Sequence, residues 1–272
     1  MKSSITAFFP AYNDQHTIEI MVRTAATELR KITADFEVVV VNDGSEDQTT
    51  EVLERAQHEI PELRVIHHPR NLGYGAALIS GFTNARKDLI FYTDGDGQYD
   101  VREIHNLVKA LRPDVDFVTG YKIRRADALH RVWIGEAYRR AMRLFFNLVV
   151  WDVDCDFRLF RRNILEHISL QSDSGVICVE LVRKVQLAGY RIVEVPVTHW
   201  PRRYGTSQFF CFRHLRRVVG GLFKIWWSLV LSHHLQLLIS KLRKAPAGTM
   251  NTTKPAGGAG PLWQVLSRTL RR

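Results

Sequence analysis

Residues 89–98 read LIFYTDGDGQ, and this stretch gives the clearest indication of the fold. Its first five residues are apolar or aromatic up to the closing Thr93, which is typical of a strand buried on both faces of a parallel sheet. Two carboxylates, Asp94 and Asp96, follow at once with Gly95 between them. Because ligands of open α/β sheets bind beyond the carboxyl ends of the strands, the stretch predicts a polar binding site at this edge.

The segments around this stretch alternate between strand and helix patterns. Strands are predicted at residues 5–9, 36–41, 63–67, 89–93 and 117–120, and helices at 14–31, 47–59, 76–85 and 101–111. This order predicts an α/β fold with a mostly parallel, Rossmann-like central sheet and helices on both faces. The alternation stops after Gly120, although a helix at 175–188 and a strand at 190–197 are still expected.

The acidic stretch has the chemistry of a cation site. Asp94 and Asp96 stand two residues apart and can both reach one hard cation, and the Gln98 side chain can add an amide oxygen. A calcium loop of the EF-hand type is excluded, because its sixth position would be Tyr99 and its twelfth His105. Taken alone, the stretch is also compatible with an ordinary polar turn.

Two other predicted strands end in polar turns. Pro10-Ala11-Tyr12-Asn13-Asp14 follows the first strand, and Asn42-Asp43-Gly44-Ser45 follows the second. Each turn by itself is more often a helix N-cap or an ordinary turn than a binding site. Polar groups at three strand ends of one sheet edge favour a shared pocket, suited to a nucleotide base or ribose.

The charge of the chain is concentrated at one end. The net charge is +10, and residues 195–272 hold thirteen Lys or Arg and no acidic residue. Such one-sided basicity predicts an anionic partner surface, either a phospholipid leaflet or nucleic acid. The three cysteines show no paired spacing, which favours a reduced, intracellular protein, and the N-terminus is interpreted as a first strand and not as a targeting segment.

The sequence suggests three regions: a domain at 1–210, a basic, Trp-rich amphipathic helical segment at 211–244, and a flexible basic tail at 245–272. Within the middle region, residues 218–231 are apolar except for Lys224 and Ser228. This run is too short to span a bilayer, which takes about 20 apolar residues. A helix lying in a membrane interface and a helix packed on the domain both fit the pattern.

Six motifs in fixed order carry a family resemblance: PAYND at 10–14, VVVNDGS at 39–45, RNLGYGAA at 70–77, YTDGDGQYD at 92–100, DCDFRLF at 154–160 and VPVTHWPRRYGTSQ at 195–208. Together they resemble glycosyltransferase family 2 with the GT-A fold. The resemblance is greatest to dolichol-phosphate-mannose synthases and polyprenyl-phosphate sugar transferases, and it runs from about residue 4 to 210.

The resemblance implies a role for each matching position. The nucleotide-sugar pocket would be formed by Pro10, Ala11, Tyr12, Asn13, Asp14, Asp43, Asp94 and Gly95. Asp94, Asp96 and Gln98 match the family's ligands for Mg²⁺ or Mn²⁺, and Arg202 would reach the donor diphosphate. Lys122 and Arg131 fall where cations bind the acceptor phosphate. The expected catalytic residues are Asp96, Arg202, Asp154 and Asp156.

Some positions depart from the family pattern. Asp14 and Asn42 are mild changes from the usual Glu and Asp, whereas Gly135 and Gln208 replace a Ser and a Lys of the acceptor element. The acids at 152, 154 and 156 are also compatible with a solvated turn. His199 could be a base or a hydrogen-bond donor to a phosphate, but a lone histidine is as often a surface or satisfied polar residue. Cys155 stands among acids, which disfavours the thiolate needed for nucleophilic chemistry.

Three functions follow as hypotheses. The first is an inverting, metal-dependent transfer of a hexose from GDP-mannose or a UDP-hexose to a polyprenyl-phosphate-type lipid, at the cytoplasmic face of an anionic membrane. The second keeps the enzyme class but uses a soluble sugar, glycolipid or cell-wall precursor, with Asp154 or Asp156 as base. The third is a nucleic-acid-binding protein; the apolar Trp run beside the basic residues argues against nucleic acid as a partner. The sequence does not define an oligomeric state.

Overall fold

A computed structural model describes residues 3–124, 129–204 and 220–231. The strands are β1 (Ile5–Ala11), β2 (Phe36–Asn42), β3 (Leu63–His67), β4 (Leu89–Thr93), β5 (Phe117–Arg124), β6 (Phe157–Arg161) and β7 (Ile192–Thr198). The helices are α1 (Ile18–Ile32), α2 (Thr49–Glu59), α3 (Tyr74–Asn84), α4 (Ile104–Ala110), α5 (Leu129–Phe146), α6 (Ile164–His167) and α7 (Ile177–Leu187), with a 3-10 turn at Val101–Glu103 before α4.

The strands form one seven-stranded sheet in the order β3-β2-β1-β4-β6-β5-β7. The pairs β1–β2, β1–β4, β2–β3 and β5–β7 are parallel, and only the two pairs that involve β6 are antiparallel among the described strands. The predicted α/β class and mostly parallel sheet are therefore confirmed.

Helices cover the sheet on both sides, as the sequence predicts. One core cluster joins the sheet to α1, α2 and α4, and a second joins its other face to α3, α6 and α7. Every residue of β1, β2 and β4 is buried, which explains their mostly apolar sequences; the polar Thr6 and Glu37 are buried with them. The predicted buried stripe of α1 is also observed: Ile18, Met21, Val22, Ala25 and Leu29 all lie in the first cluster.

Two elements differ from the sequence-based prediction. The acids at 152, 154 and 156 are compatible with a solvated turn by sequence, but the second half of the motif DCDFRLF forms β6, inserted between β4 and β5. Residues 129–146, where no regular element was predicted, form helix α5. Strand β6 was missed because Arg158 is completely buried in its middle, and charged residues are almost never fully buried without a partner.

Residues 220–226 are helical and continue into a π-helical turn at Trp227–Leu231. Ile225 is buried in a third cluster that contains Met142 and Phe146 of α5 and Val179 of α7. The opposite side of this segment is exposed, with Phe223 at 63% and Trp227 at 55%. One face of the predicted C-terminal helix thus packs on the domain, while the remainder of the predicted range 211–244 lies outside the described residues. No helix in the described part of the chain has the length and hydropathy to cross a bilayer.

Candidate active site

The polar ends of β1, β2 and β4 meet at one edge of the sheet, because β1 pairs with both other strands. The Gly95 amide donates to the Pro10 carbonyl (3.3 Å), and the Asp43 amide donates to the Ala11 carbonyl (2.9 Å). Gly95 must be small, since an added Cβ would come within 3.0 Å of the Pro10 oxygen. The three sequence motifs predicted to share an edge do so.

Each carboxylate of the acidic stretch has defined partners. The Tyr74 hydroxyl, at the start of α3, donates to Asp94 Oδ1 (2.8 Å). Asp96 is buried, accepts from the Gln98 amide (3.0 Å) and forms an ion pair with the Arg202 guanidinium (2.6 Å). Asp96 and Arg202, which are far apart in sequence, are therefore in direct contact.

Burial disfavours the ionised form of the carboxyl groups in this loop. It raises the pKa of Asp94 well above its usual range, and the neighbouring carboxylates of Asp156 and Asp96 raise it further. Burial likewise raises the pKa of Asp96, against the opposing effect of Arg202. The pKa of Asp14 rises to about 7, again mainly through burial. Burial and mutual repulsion both disfavour ionised carboxylates at this site, and a bound cation would stabilise them.

The donor set fits a hard divalent cation in chemistry, because Asp94 and Asp96 offer carboxylate oxygens. The Tyr74 hydroxyl, the Gln98 amide and the Arg202 guanidinium already contact these carboxylates. Within the described ranges, no three His, Cys, Asp or Glu side chains converge closely enough to hold a metal by themselves. Further ligands would have to come from Gln98, from water or from a bound diphosphate.

Gln98 connects the acidic stretch to the segment after β7. Its side-chain Nε2 donates to the Trp200 carbonyl (3.0 Å), and the Trp200 amide donates to the Gln98 carbonyl (2.8 Å). Tyr99 and His199 form an isolated antiparallel bridge next to this pair, with ring centroids 5.0 Å apart. Gln98 lies at the predicted site, and His199 contacts Tyr99 beside it.

The PAYND segment forms a tight turn that lines the site. Asn13 has a positive φ of 58°, its amide donates to Ser45 Oγ (3.0 Å), and its side-chain oxygen accepts from the Glu46 amide (2.8 Å). The Asp14 carboxylate accepts from the Tyr12 amide (3.0 Å). A cavity of about 180 Å³ is lined by Asn13, Asp14, Gln15, His16, Thr17, Asp47, Asp96 and Tyr204. Residues that follow β1 and residues that follow β4 thus border one cavity.

Asp43, predicted to contact the nucleotide base, is almost fully engaged by protein groups. One oxygen contacts His68 Nδ1 (2.6 Å) and accepts from the Leu72 amide (2.9 Å), and the other accepts from the Gly73 amide (2.9 Å). His68 Nε2 in turn lies 2.9 Å from Ser80 Oγ. Asp43 therefore anchors the loop that follows β3, a role that its position in the motif did not indicate.

A second cavity of about 520 Å³ lies beside this anchor. It is lined by Asn42, Gly44, Ser45, Glu46, Thr50, Glu54, His67, His68, Pro69, Arg70 and Asn71. Ser45 and Glu46, which bond to Asn13, belong to its wall. The two cavities therefore adjoin across the Asn13 turn.

The predicted acceptor residues lie on the other side of the acidic stretch. Lys122 Nζ donates to the Asp154 carbonyl (2.7 Å), and the Lys122 amide donates to Asp152 (3.2 Å). Burial raises the pKa of Asp154 to about 6, although Lys122 opposes this. The backbone of Arg131 lies in α5, and its side chain is outside the described part of the structure.

Asp156 belongs to a buried network. It accepts from the Tyr92 hydroxyl (3.1 Å) and contacts Cys178 Sγ (3.2 Å), and Arg158 donates to the same Tyr92 hydroxyl (2.7 Å). Tyr92 was not predicted as a site residue; its signal is its position two residues before Asp94, on the same face of β4. Burial raises the pKa of Cys155 to about 12, in agreement with the expectation that it is not a nucleophile.

An acidic loop beyond a central strand, with polar turns beside it, lies where open α/β sheets bind their ligands. Residues 6–169 match the family model described as "Glycosyl transferase family 2". The chain belongs to glycosyl transferase family 2, as its motifs predict.

Relatives with assigned names agree with this membership. The glycosyltransferase AglD of Haloferax volcanii is 31% identical over 236 residues, which cover 84% of this chain and 38% of that protein. An undecaprenyl-phosphate 4-deoxy-4-formamido-L-arabinose transferase of Pseudomonas fluorescens is 27% identical, with 75% of this chain and 60% of that protein covered. The chain thus spans between about two fifths and three fifths of the length of these relatives.

Solved structures show the same fold. A glucosyl-3-phosphoglycerate synthase from Mycobacterium tuberculosis, in complex with Mn²⁺, UDP and phosphoglyceric acid, superposes with a TM-score of 0.63 at 16% identity. The match covers 82% of this chain and 78% of that one. The GT-A architecture is thereby shown for this chain.

Proposed function

We propose that the chain transfers a sugar from a nucleoside-diphosphate sugar to a polyprenyl-phosphate-type lipid, with inversion at the anomeric carbon and with Mg²⁺ or Mn²⁺ bound. The observation that carries the proposal is the pairing of two opposite charges at one point: buried Asp96 and the Arg202 guanidinium, 2.6 Å apart beside a cavity. Such an arrangement suits a metal-bound diphosphate, whose negative charge replaces Asp96 as the partner of Arg202.

The donor half of the site rests on the ends of β1, β2 and β4. Asp94 and Asp96, with Gln98, would hold the cation, which supplies neutralisation of the diphosphate when bound. The Asn13 turn and the loop anchored by Asp43 would hold the nucleoside, since they border the two adjoining cavities. Arg202 would stabilise the charge that develops on the leaving diphosphate. The solved M. tuberculosis structure of the same fold contains Mn²⁺ and UDP, which supports a donor of this class.

The acceptor half is built by Lys122 and the acids around it. An oxygen of the acceptor phosphate attacks the anomeric carbon, the bond from that carbon to the diphosphate oxygen breaks, and the diphosphate leaves. A phosphate is already ionised at pH 7, so this reaction needs no strong base. The name of the Pseudomonas relative, which specifies undecaprenyl phosphate, supports this acceptor class. The Asp154 carbonyl, which accepts from Lys122 Nζ, would position Lys122 toward it.

A membrane partner is supported by one exposed surface. We define the apolar patch as Leu144, Phe145, Val149, Trp151, Phe223 and Trp227, whose exposures range from 47% to 80%. These side chains flank the third core cluster, which joins α5 to the 220–231 helix. The exposed cations Arg140 and Lys224 lie on the same two elements. Apolar and aromatic side chains beside cations match the interface of an anionic bilayer.

The compartment follows from the same proposal. Cys155 and Cys178 are free and buried, which fits a reducing environment. The proposed place is therefore the cytoplasmic face of the membrane, with the apolar patch in the interface and the acidic loop facing the donor in solution.

The donor is tested by a thermal-shift screen of UDP- and GDP-sugars with Mn²⁺ or Mg²⁺. A ligand at 100 times its dissociation constant should stabilise the protein by about 2.7 kcal/mol. A shift that depends on both nucleotide and cation is expected. Absence of any shift, together with absence of transfer to polyprenyl phosphate, would contradict the proposal; transfer to a soluble sugar alone would favour the alternative acceptor.

The membrane partner is tested by flotation with vesicles of phosphatidylglycerol and phosphatidylcholine. Phe145→Ser and Trp227→Ser are each expected to reduce binding to the anionic vesicles at least about threefold, since each removes exposed apolar area that the membrane would bury. The matched control is Ile20→Ser, which removes another apolar side chain, 67% exposed, from α1. Equal flotation of all variants would contradict the assignment of the apolar patch.

A further inference from the structure

The segment after β7 lies along one side of the donor cavity, and three contacts attach it there. The first is the pair of hydrogen bonds between Trp200 and Gln98. The second is the ion pair between Arg202 and Asp96. The third is a ring contact between Tyr204 and His16, whose centroids lie 4.8 Å apart at an interplanar angle of 34°. Arg202 is thus held between attachments on both sides of it in sequence.

The ring contact is of a different kind from the other two. Tyr204 is 52% exposed and His16 is also exposed, and neither ring belongs to any of the three core clusters. Both residues line the cavity that contains Asp96. One aromatic pair contributes little to the stability of the whole fold but has a considerable effect on the position of one short segment.

His16 offers a fixed platform for this contact. The neighbouring Gln15 amide donates to Asp47 (3.2 Å), and the Gln15 side chain accepts from the Gln48 amide (2.8 Å). Thr17 Oγ1 donates to the Gly95 carbonyl (2.7 Å), which ties the same turn to the acidic loop. Movement at the ring pair is therefore expected on the Tyr204 side.

We propose that His16 and Tyr204 are positioning residues, which act through their ring contact to keep Arg202 at the donor cavity. The inference rests on the proposed function, because it assigns Arg202 two successive partners: Asp96 before the donor binds, and the donor diphosphate afterwards. A guanidinium held in place loses less freedom when it binds an anion, so its affinity for the diphosphate is higher.

The contact has opposite effects on two ligands. Holding Arg202 near the cavity favours a nucleoside diphosphate. It disfavours Mn²⁺ alone, because Arg202 and the cation compete for Asp96. Loss of the ring contact should therefore weaken nucleotide binding and strengthen the binding of free Mn²⁺. Damage to the cavity itself would weaken both.

The test compares Tyr204→Ala, Tyr204→Phe and His16→Ala with the wild-type chain. Binding of UDP and of GDP in the presence of Mn²⁺ is measured by calorimetry, and binding of Mn²⁺ alone by electron paramagnetic resonance. We expect both alanine variants to raise the nucleotide Kd about five- to tenfold and to lower the Kd for Mn²⁺ alone about twofold or more. Tyr204→Phe keeps the ring and should stay within about twofold of wild type for both ligands.

A second Tyr–His pair provides the control. Tyr190 and His167 have ring centroids 6.2 Å apart, and their polar atoms lie 2.8 Å from each other, on α6 and the turn before β7. His167→Ala should leave both affinities unchanged. Thermal unfolding of each variant checks that the fold is retained.

The outcomes distinguish the positioning role of the ring pair from the proposed function of the chain. If wild type binds nucleotide with Mn²⁺ but the alanine variants bind both ligands as wild type does, or bind both more weakly, the positioning role is refuted and the proposed function stands. If wild type binds neither UDP nor GDP at any Mn²⁺ concentration, the proposed donor and the role of the ring pair fail together.

Discussion

The guanidinium of Arg158 lies 2.7 Å from the hydroxyl oxygen of Tyr92, and both side chains are completely shielded from solvent. The same hydroxyl donates to Asp156, which also lies 3.6 Å from the Arg158 guanidinium, so a buried cation contacts this carboxylate both directly and through a phenol. Arg158 also donates to the carbonyls of Val153 and Cys155. One side chain of β6 therefore holds the segment that leads into β6 and a residue of β4.

Replacing this arginine should destabilise the whole domain. Arg158→Met keeps much of the volume but leaves Tyr92, Asp156 and two carbonyls without their donor or counter-charge, and breaking such a buried pair costs about 3–5 kcal/mol. Urea denaturation measures the loss. The control is Arg112→Met, because Arg112 is exposed and its pairing with Asp114 is a surface contact; its change should stay within about 0.5 kcal/mol. A comparable small change for Arg158→Met would contradict the structural role.

Asp96→Ala should abolish transfer and leave the fold intact. The variant removes a proposed metal ligand and the partner of Arg202, so turnover is expected to fall at least about 10²-fold. Turnover with the donor identified by thermal shift, together with the far-UV circular dichroism spectrum, checks both parts. Asp100→Ala is the control, since Asp100 pairs with Arg102 in an exposed turn nearby. Wild-type turnover in Asp96→Ala would refute the assignment of this carboxylate.

A side chain at Gly44 should destabilise the fold both through its backbone angle and through a clash with Arg70. Its φ is +68°, and a Cβ would lie 2.3 Å from the Arg70 carbonyl carbon. Gly189 has a similar φ of +83° but open space around the same position. Gly189→Ala should thus cost about 1–2 kcal/mol from backbone strain alone, and Gly44→Ala about 1–3 kcal/mol more from overpacking. Equal unfolding free energies of the two variants would contradict the overpacking at Gly44, because the loop at Arg70 would then move aside at no cost.

Glu180 should make stability depend on pH on the acidic side. Burial alone would raise its pKa, but hydrogen bonds from Lys184 and Ser172 lower it below the usual value. The folded protein therefore holds the carboxylate ionised at a pH where the unfolded chain takes up a proton. Its contribution to stability is complete above the ordinary glutamate pKa of about 4.3 and is lost as the pH falls from there toward the lower pKa of the folded state.

Glu180→Gln tests this dependence by chemical denaturation between pH 7 and pH 3. The variant should be less stable than wild type by about 2 kcal/mol at pH 7, and the difference should shrink as the pH falls below about 4.5. Glu51→Gln makes the same change of charge at an exposed position of α2 and is the control. A difference that stays constant down to pH 3 would contradict a lowered pKa in the folded state.

Local sequence patterns predicted most of the strand ends that form the proposed donor site. The buried strands β1, β2 and β4 carry mostly apolar runs that end in Pro, Asn or Asp, so their position and their common edge follow from sequence. Helix bounds shifted by a few residues: α1 begins at Ile18 and not at Asp14, because residues 14–17 form the turn that lines the cavity.

The remaining features depend on contacts between distant residues. The position of β6 between β4 and β5 is a matter of long-range pairing, which periodicity does not encode. The partners of Asp43 come from the loop after β3, and the ring partner of Tyr204 comes from the first turn of the chain. No spacing rule connects His16 with a residue near position 204. The motifs located the site, and the structure supplied its internal connections.

The antiparallel direction of β6 has a consequence for engineering. Strand β5 ends at the edge of the sheet that carries the acidic loop, and β6 begins at this same edge because it runs the opposite way. Residues 129–156, with Asp154, Asp156 and α5, therefore lie between two strand ends at this one edge of the sheet. A chimera that exchanges this segment between relatives would replace the proposed acceptor side while every parallel strand pairing keeps its register.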